Sequence, residues 1–418
     1  MLKKVPVSQV RLGMFLHALE GDWLDHPFWK MRFVLKTDKD LEKLRRSAIK
    51  EVWINPSLGL DVEPVPEVEP PTLSDAAPVA VPVAAQEAAL PEVLPLDRPA
   101  ASMDSEMGKA AAIVQRGKQQ IVLVLSSLKE GQSLPEEVAS SLAGDVAESV
   151  MRQPGALVSL SRLKSQEDYL YLHSLAVSAM MVALARQLGM DEDRCRLAGL
   201  AGLMHNVGMA MVPAEVIRKK GKLSDEETFV VRSHPVQGYE MLKSSGDYAK
   251  EILETCLNHH ERWDGTGYPF GLEGEATPLF ARMCAICDAY DAITSNRSYR
   301  SGWDPAESIA QMASWTGQFD PDLFNAFVRS LGVYPTGSLV RLQSQKLAVV
   351  VDQNPQVPTL PVVKVFYSLR SQMHMPPERI DLAHPSCRDR IVSREPAAEW
   401  SKLGLDSLWA GSGAPRRR

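Results

Sequence analysis

HHERWDGTGYP, residues 259–269, sets two histidines side by side and follows them with a run rich in Gly and ending in Pro. A helix does not continue through Asp-Gly-Thr-Gly-Tyr-Pro, so the pair belongs at a helix end. Two adjacent imidazoles at such a place are hard to account for as packing, and they can be presented to neighbouring metal ions. Further His residues precede the pair: His173 in YLHS, His205 in LMHNVG and His234 in RSHPVQGYEML. Five of the nine His in the chain therefore fall between residues 173 and 260. A carboxylate, Asp288, follows in CAICDAYDAITS. Neutral imidazole with carboxylate is the donor set of Zn, Fe, Mn and related ions, and helical bundles assemble it from inward-facing side chains of several helices. A lone His on an apolar helix face is more often a hydrogen-bonded core residue than a ligand. Five on successive helical segments favour a site.

The segments around these residues carry apolar positions at three- and four-residue intervals. AAIVQRGKQQIVLVLSSL, EEVASSLAGDVAESVM, LYLHSLAVSAMMVALARQLG and CRLAGLAGLMHNVG each read as bundle helices, punctuated at Pro154-Gly155 and at Gly189. The helical region spans residues 105–335. Ahead of it, residues 1–60 alternate short β-like runs (VPVSQVRLGMFLH, RFVLKT, EVWIN) with one helical stretch, LEKLRRSAIK, as in a small α/β module. Residues 61–104 are dominated by Pro, Ala, Val and Glu. Frequent prolines forbid a continuous helix and disfavour sheet, so this stretch reads as an extended linker. Residues 336–418 change character again: SLVRLQSQKLAVVVDQN followed by PVVKVFYS reads as a small β-hairpin set, and GSGAPRRR as a frayed end.

The chain of 418 residues is 45% hydrophobic and carries a formal net charge of -6. That balance argues against nonspecific binding to nucleic acid or to an anionic membrane, both of which want a basic face. No apolar run approaches a membrane span, and the expectation is a soluble cytoplasmic protein. Five cysteines do not make a disulfide framework in a chain of this length, and the Cys284–Cys287 pair sits inside an apolar helical pattern, as core thiols do.

From about Leu157 to Phe327 the chain resembles the HD-GYP phosphohydrolases, a branch of the HD superfamily. HHERWDGTGYP keeps the HHE, DG and GYP elements that name the branch. PLFARMCAICDAYDAITSNRSYR looks like the segment that carries the last metal-binding Asp and a basic run. The N-terminal module resembles an uncharacterised domain often placed ahead of such domains. The resemblance implies a mainly α protein, an HD-superfamily helical bundle with the α/β module before it and a small β-rich tail behind. It implies a cyclic di-GMP phosphodiesterase yielding pGpG or GMP at a centre of divalent ions, usually iron or manganese. Two ions about 3.5 to 4 Å apart can stabilise both the attacking and leaving oxygens. Carried over by position, the metal ligands are His173, His205, residue 206, His234, His259, His260 and Asp288. Arg297 and Arg300 match positions that meet the phosphate, where a guanidinium fork suits the oxygens. Tyr268 lies in the GYP loop, which borders the site and is a docking surface for a diguanylate cyclase partner in the family. Its other reading is a rigid turn held by Gly267 and Pro269.

Three positions depart from the family. Asn206 stands for the Asp of the His-Asp pair, Met209 for a Lys, and Ala214 for the usual Asp. An amide offers one neutral oxygen where a carboxylate bridges two cations, and Met supplies no charge to a phosphate. Tyr169, four residues before His173, stands where some members carry a Glu that supports a third metal. The expectation is one ion, or two with the second held weakly. Two readings stay open: a phosphodiesterase of reduced activity, or a noncatalytic module that binds cyclic di-GMP or a cyclase partner and signals without turnover. The helices between residues 105 and 153 are apolar enough to dimerise.

Overall fold

The structure is a computed structural model that describes residues 3–20, 33–47, 50–54, 56, 59–60, 101–130, 136–161, 169–219, 221–295, 302–354, 356–395, 400 and 405–410. Most of the Pro-rich stretch expected to be a linker lies outside the described residues. The chain divides into two compact units, Met1–Glu92 and Val93–Arg418.

In the first unit, β1 (Lys3–Pro6), β2 (Phe15–Glu20), β3 (Phe33–Val34) and β4 (Glu51–Ile54) form an antiparallel sheet in the order β1-β4-β2-β3. RFVLKT yields only a two-residue strand, and VPVSQVRLGMFLH is broken by a 3-10 turn at Val7–Gln9 between the two strands. Helix α1 (Asp38–Arg46) starts at Thr37, whose hydroxyl accepts the Asp40 amide, and buries Leu44 in a cluster with Val5, Met14, Leu16, Leu35, Val52 and Ile54.

The second unit opens with α2 (Met103–Lys129), α3 (Glu136–Arg152), α4 (Pro154–Ser161), α5 (Tyr169–Gln187) and α6 (Glu192–Met204). Every residue from Leu172 to Ala185 is buried, which makes α5 the central helix and explains why its sequence is apolar on all sides. Pro154 takes the first turn of α4, where its missing N–H costs nothing, so the chain bends at Gln153. A 3-10 turn (Val207–Met211) and α7 (Ala214–Ile217) follow, then α8 (Asp225–Arg232), α9 (His234–Ser245), α10 (Lys250–Asn258), α11 (Leu279–Thr294), α12 (Pro305–Ser314) and α13 (Pro321–Leu331). Asp320 caps α13 and also accepts from Arg282 Nη1 on α11 at 2.6 Å, fastening the two helices. The CRLAGLAGLMHNVG helix ends at Met204, so His205 and Asn206 occupy its exit.

The tail holds more strands than its hairpin pattern suggests. β5 (Leu339–Leu342), β6 (Lys346–Asp352), β7 (Val362–Ser368), β8 (Met373–Asp381) and β9 (Ile391–Arg394) form an antiparallel sheet ordered β8-β7-β6-β5-β9, followed by α14 (Asp406–Trp409). Alternation along β6 sends Leu347, Val349 and Val351 into the helical core and Ala348 and Val350 into a second cluster with Val363 and Val365. β8 and β9 escape sequence reading because their side chains are largely exposed, so no buried face imposes a regular apolar alternation. Among the described residues, no helix is long and apolar enough to cross a membrane.

One contact controls how the helix ends meet. A Cβ on Gly208 would lie 1.9 Å from the His234 carbonyl oxygen and 2.7 Å from the Gly238 amide nitrogen. The 3-10 turn and the start of α9 thus touch backbone to backbone, which brings His205 and His234 together. Gly208→Ala is expected to lower stability by about 1 to 3 kcal/mol through overpacking. Gly144→Ala in α3, where nothing lies within 4 Å of the new methyl, should raise it by about 0.5 to 1 kcal/mol. Equilibrium urea unfolding of both variants checks this, and a Gly208→Ala protein as stable as the parent would contradict it.

Candidate metal centre

The last carbonyls of a helix have no partner within the helix and must find one outside it. At three helix ends here a histidine supplies the donor. His205, just past α6, donates its Nδ1–H to the Gly202 carbonyl at 2.7 Å. His234, just past α8, does the same to Val231 at 2.6 Å. His259, just past α10, donates to Cys256 at 2.9 Å. A carbonyl oxygen only accepts, so the proton sits on Nδ1 in each case and the lone pair on Nε2 faces away from the helix.

These Nε2 atoms converge. His234 Nε2 and His259 Nε2 are 3.2 Å apart. The His205 ring centroid lies 4.9 Å from that of His259 and 5.3 Å from that of His173, while His260 lies 4.2 Å from His259 and 5.0 Å from His234. Two triads result, His234–His259–His260 and His173–His205–Asp288, each with ligand atoms within 4.8 Å of one another. Asp288, on α11, stands between them: its Oδ1 is 3.1 Å from His173 Nε2 and its Oδ2 is 4.0 Å from His260 Nδ1.

Electrostatics keeps most of the rings neutral. Burial lowers His205 and His234 to about 4 and His260 to about 3, and burial with the neighbouring imidazoles takes His259 well below its ordinary value. Burial also works against a charged His173, but its hydrogen bonds to Asp288 and Asp291 outweigh that and raise it. Asp288 resists its own burial through the same contact with His173 and stays well below the usual carboxylate range.

The donor set fits a divalent cation. Two neutral imidazoles whose lone pairs meet at 3.2 Å repel each other until a cation is shared between them. Nε2 of His205 and Oδ1 of Asn206 are buried and make no hydrogen bond, an expensive state for polar atoms that metal coordination relieves. Asn206, next to His205, begins the 3-10 turn without capping it. Met209 sits half-buried in that turn.

Arg297 and Arg300 lie outside the described residues. Tyr268 is brought to the centre: only 7% exposed, its ring stacks on His260 at 4.7 Å. The exposed aromatic of that loop is Phe270, at 61%. A Cβ on Gly267 would lie 2.3 Å from the Arg262 amide nitrogen, so the loop folds back on itself and the turn reading also holds. Glu261, the third residue of HHE, is buried and accepts the amides of Phe270, Gly271 and Leu272. Cys284 and Cys287 are fully buried on α11, and burial pushes both thiols far up, as suits core residues.

Two residues that sequence reasoning passed over complete the arrangement. Asp291, one turn after Asp288 on α11, accepts from His173 Nδ1 at 2.7 Å and so orients the one clustered imidazole on α5. The Asp-Ala-Tyr-Asp spacing was the available signal, since residues three apart share a helix face. Arg232, the last residue of α8, places its guanidinium carbon 5.2 Å from the centroid of the Tyr268 ring.

Comparison with known proteins places this geometry. The HD domain family matches residues 150–323, and a family described only as a domain of unknown function matches residues 2–138. The cyclic di-GMP phosphodiesterase PA4108 of Pseudomonas aeruginosa is 45% identical over 412 residues, 98% of this chain and 96% of that protein. The cyclic di-GMP phosphodiesterase response regulator RpfG of Xanthomonas campestris is 39% identical over 35% of this chain and 39% of its own. Among solved structures, the HDGYP protein Bd1817 from Bdellovibrio bacteriovorus aligns over 78% of this chain and 98% of its own at 15% identity, with a TM-score of 0.44.

Asp291→Asn removes the charge that orients His173. Metal binding should weaken by about 10- to 100-fold, the usual cost of losing such an outer partner, measured by competition with a chromogenic chelator. Unchanged affinity would show that His173 needs no orienting carboxylate.

Proposed function

This chain belongs to the HD-GYP family of HD-domain proteins, and on that basis we propose that it is a divalent-metal-dependent phosphodiesterase acting on cyclic di-GMP. The observation that carries the reading is the facing pair of Nε2 atoms of His234 and His259, both with Nδ1 committed to a carbonyl. The donors are imidazole and carboxylate with no thiolate among them, a set that suits iron or manganese. His234, His259 and His260 would hold one ion, and His173, His205 and Asp288 the other. Bound divalent cations supply Lewis acidity toward a phosphoryl oxygen and make water more acidic.

The chain's own residues fix the rest. Gly202, Val231 and Cys256 hold the Nδ1 protons of three ligands through their carbonyls, and Asp291 does so for His173. Asp288 turns one oxygen toward each triad, so it offers the negative charge both share. Asn206 adds a neutral oxygen only. Cations in the cage are then poorly balanced, which favours one tightly held ion, a weaker second and slow turnover to pGpG or GMP. Arg297 and Arg300 are the proposed phosphate contacts from the basic run, and a cyclase partner would meet the loop at Phe270 rather than at the buried Tyr268.

Asn206 also supports a second reading, in which the site binds the dinucleotide and signals without turnover, because its Oδ1 cannot replace a bridging carboxylate.

One comparison separates the two. Metal content per chain and cyclic di-GMP turnover are measured under anaerobic conditions for the parent, Asn206→Asp and Asn206→Asp/Met209→Lys. The parent should turn over measurably, with the double variant faster by about tenfold or more, a barrier change of about 1.4 kcal/mol. A parent that binds cyclic di-GMP without hydrolysing it establishes the second reading, and a parent with two tight ions and the double variant's rate contradicts the role given to Asn206. His259→Ala should strip the metal from its triad. Metal content equal to that of the parent would remove the ligand assignment.

A further inference from the structure

Arg232 is a cation that the fold holds beside the histidine cage, with no acidic partner among the described residues. It ends α8 two residues before His234, and its guanidinium sits over the ring of Tyr268, which stacks on His260. Its Nε is buried and makes no hydrogen bond. Among the described residues no carboxylate forms an ion pair with it. Taking a guanidinium out of water costs free energy unless its donors find partners.

A ring face satisfies part of a guanidinium but none of its N–H donors. What satisfies them is an oxyanion, and Arg offers the planar fork that phosphate oxygens accept. The position has a further meaning in this chain. The 3-10 turn carrying Met209 packs on the start of α9 through Gly208 and the His234 carbonyl. Arg232 ends α8 two residues before His234. Met209 brings no charge, and Arg232 brings one.

We propose that Arg232 is a substrate-binding residue that meets a phosphate oxygen of the ligand on the His260 side of the cage. This rests on the reading of the cage as a cyclic di-GMP site, and the two are tested separately. Manganese-loaded parent, Arg232→Met and Arg232→Lys are compared for metal per chain, for inorganic phosphate binding by broadening of its phosphorus resonance, and for cyclic di-GMP binding by calorimetry.

The expected result is equal metal content in all three proteins, with phosphate and cyclic di-GMP both weakened about tenfold or more in Arg232→Met, as loss of a charged hydrogen bond implies. Arg232→Lys should recover part of that loss, since the charge returns without the fork. Parent-like binding of phosphate by Arg232→Met overturns the proposal. So does a Lys variant as weak as the Met variant with its metal intact, or loss of metal in Arg232→Met, which would mean that the residue supports the cage through Tyr268. A parent that binds phosphate but not cyclic di-GMP sinks the substrate reading alone, and the phosphate measurements still decide the role of Arg232. A parent that binds neither phosphate nor cyclic di-GMP overturns both.

Discussion

Three helix ends, each closed by a histidine, set the chemistry of this protein. A helix terminus with an unpaired carbonyl is a structural debt in any bundle. Here the Nδ1–H groups of His205, His234 and His259 settle it at α6, α8 and α10, each on the carbonyl three residues back. The same hydrogen bond that finishes the helix chooses the tautomer and aims the second nitrogen inward. Folding and ligand preparation are therefore one event. The backbone contact at Gly208 and the Glu261 carboxylate under the loop at residues 270–272 hold these ends close.

Charge decides what so many neutral donors can do. Two divalent ions would bring four positive charges to a cage whose carboxylates, among the described residues, are Asp288, with an oxygen toward each triad, and Asp291 behind His173. At residue 206 the chain has an amide. The imidazoles give affinity, but anionic ligands keep two cations near each other, and this cage is short of them. A cation-rich, anion-poor centre is well suited to attract a phosphodiester and less well suited to turn it over quickly. In the proposed reading Asp288 offers the cage negative charge and Asn206 only a neutral oxygen.

The helical bundle was legible because its signal is periodic burial: α5 is apolar on all sides, and α2 and α3 carry apolar positions at three- and four-residue intervals. His205, His234, His259 and His260 were legible because they sit at helix ends near Gly and Pro, whereas His173 lies within α5. What sequence could not give was the pairing across helices. Nothing in YLHS or CDAYDAITS says that His173 and Asp291 hydrogen-bond, since α5 and α11 are joined only by the fold. The exit of α6 at Met204 was also hidden, because the apolar pattern runs on through the 3-10 turn. β8 and β9 escaped for the opposite reason: exposed strands carry no apolar alternation. Arg232 escaped as well, because its contact with the Tyr268 ring joins segments that only the fold brings together.

The central claim is that the facing Nε2 atoms of His234 and His259 share a cation. Anomalous diffraction from crystals grown with manganese tests it directly. The account predicts a manganese peak ligated by both nitrogens, with a second, weaker peak at His173, His205 and Asp288. Crystals that contain manganese elsewhere, with His234 and His259 bonded only to protein or water, would contradict it.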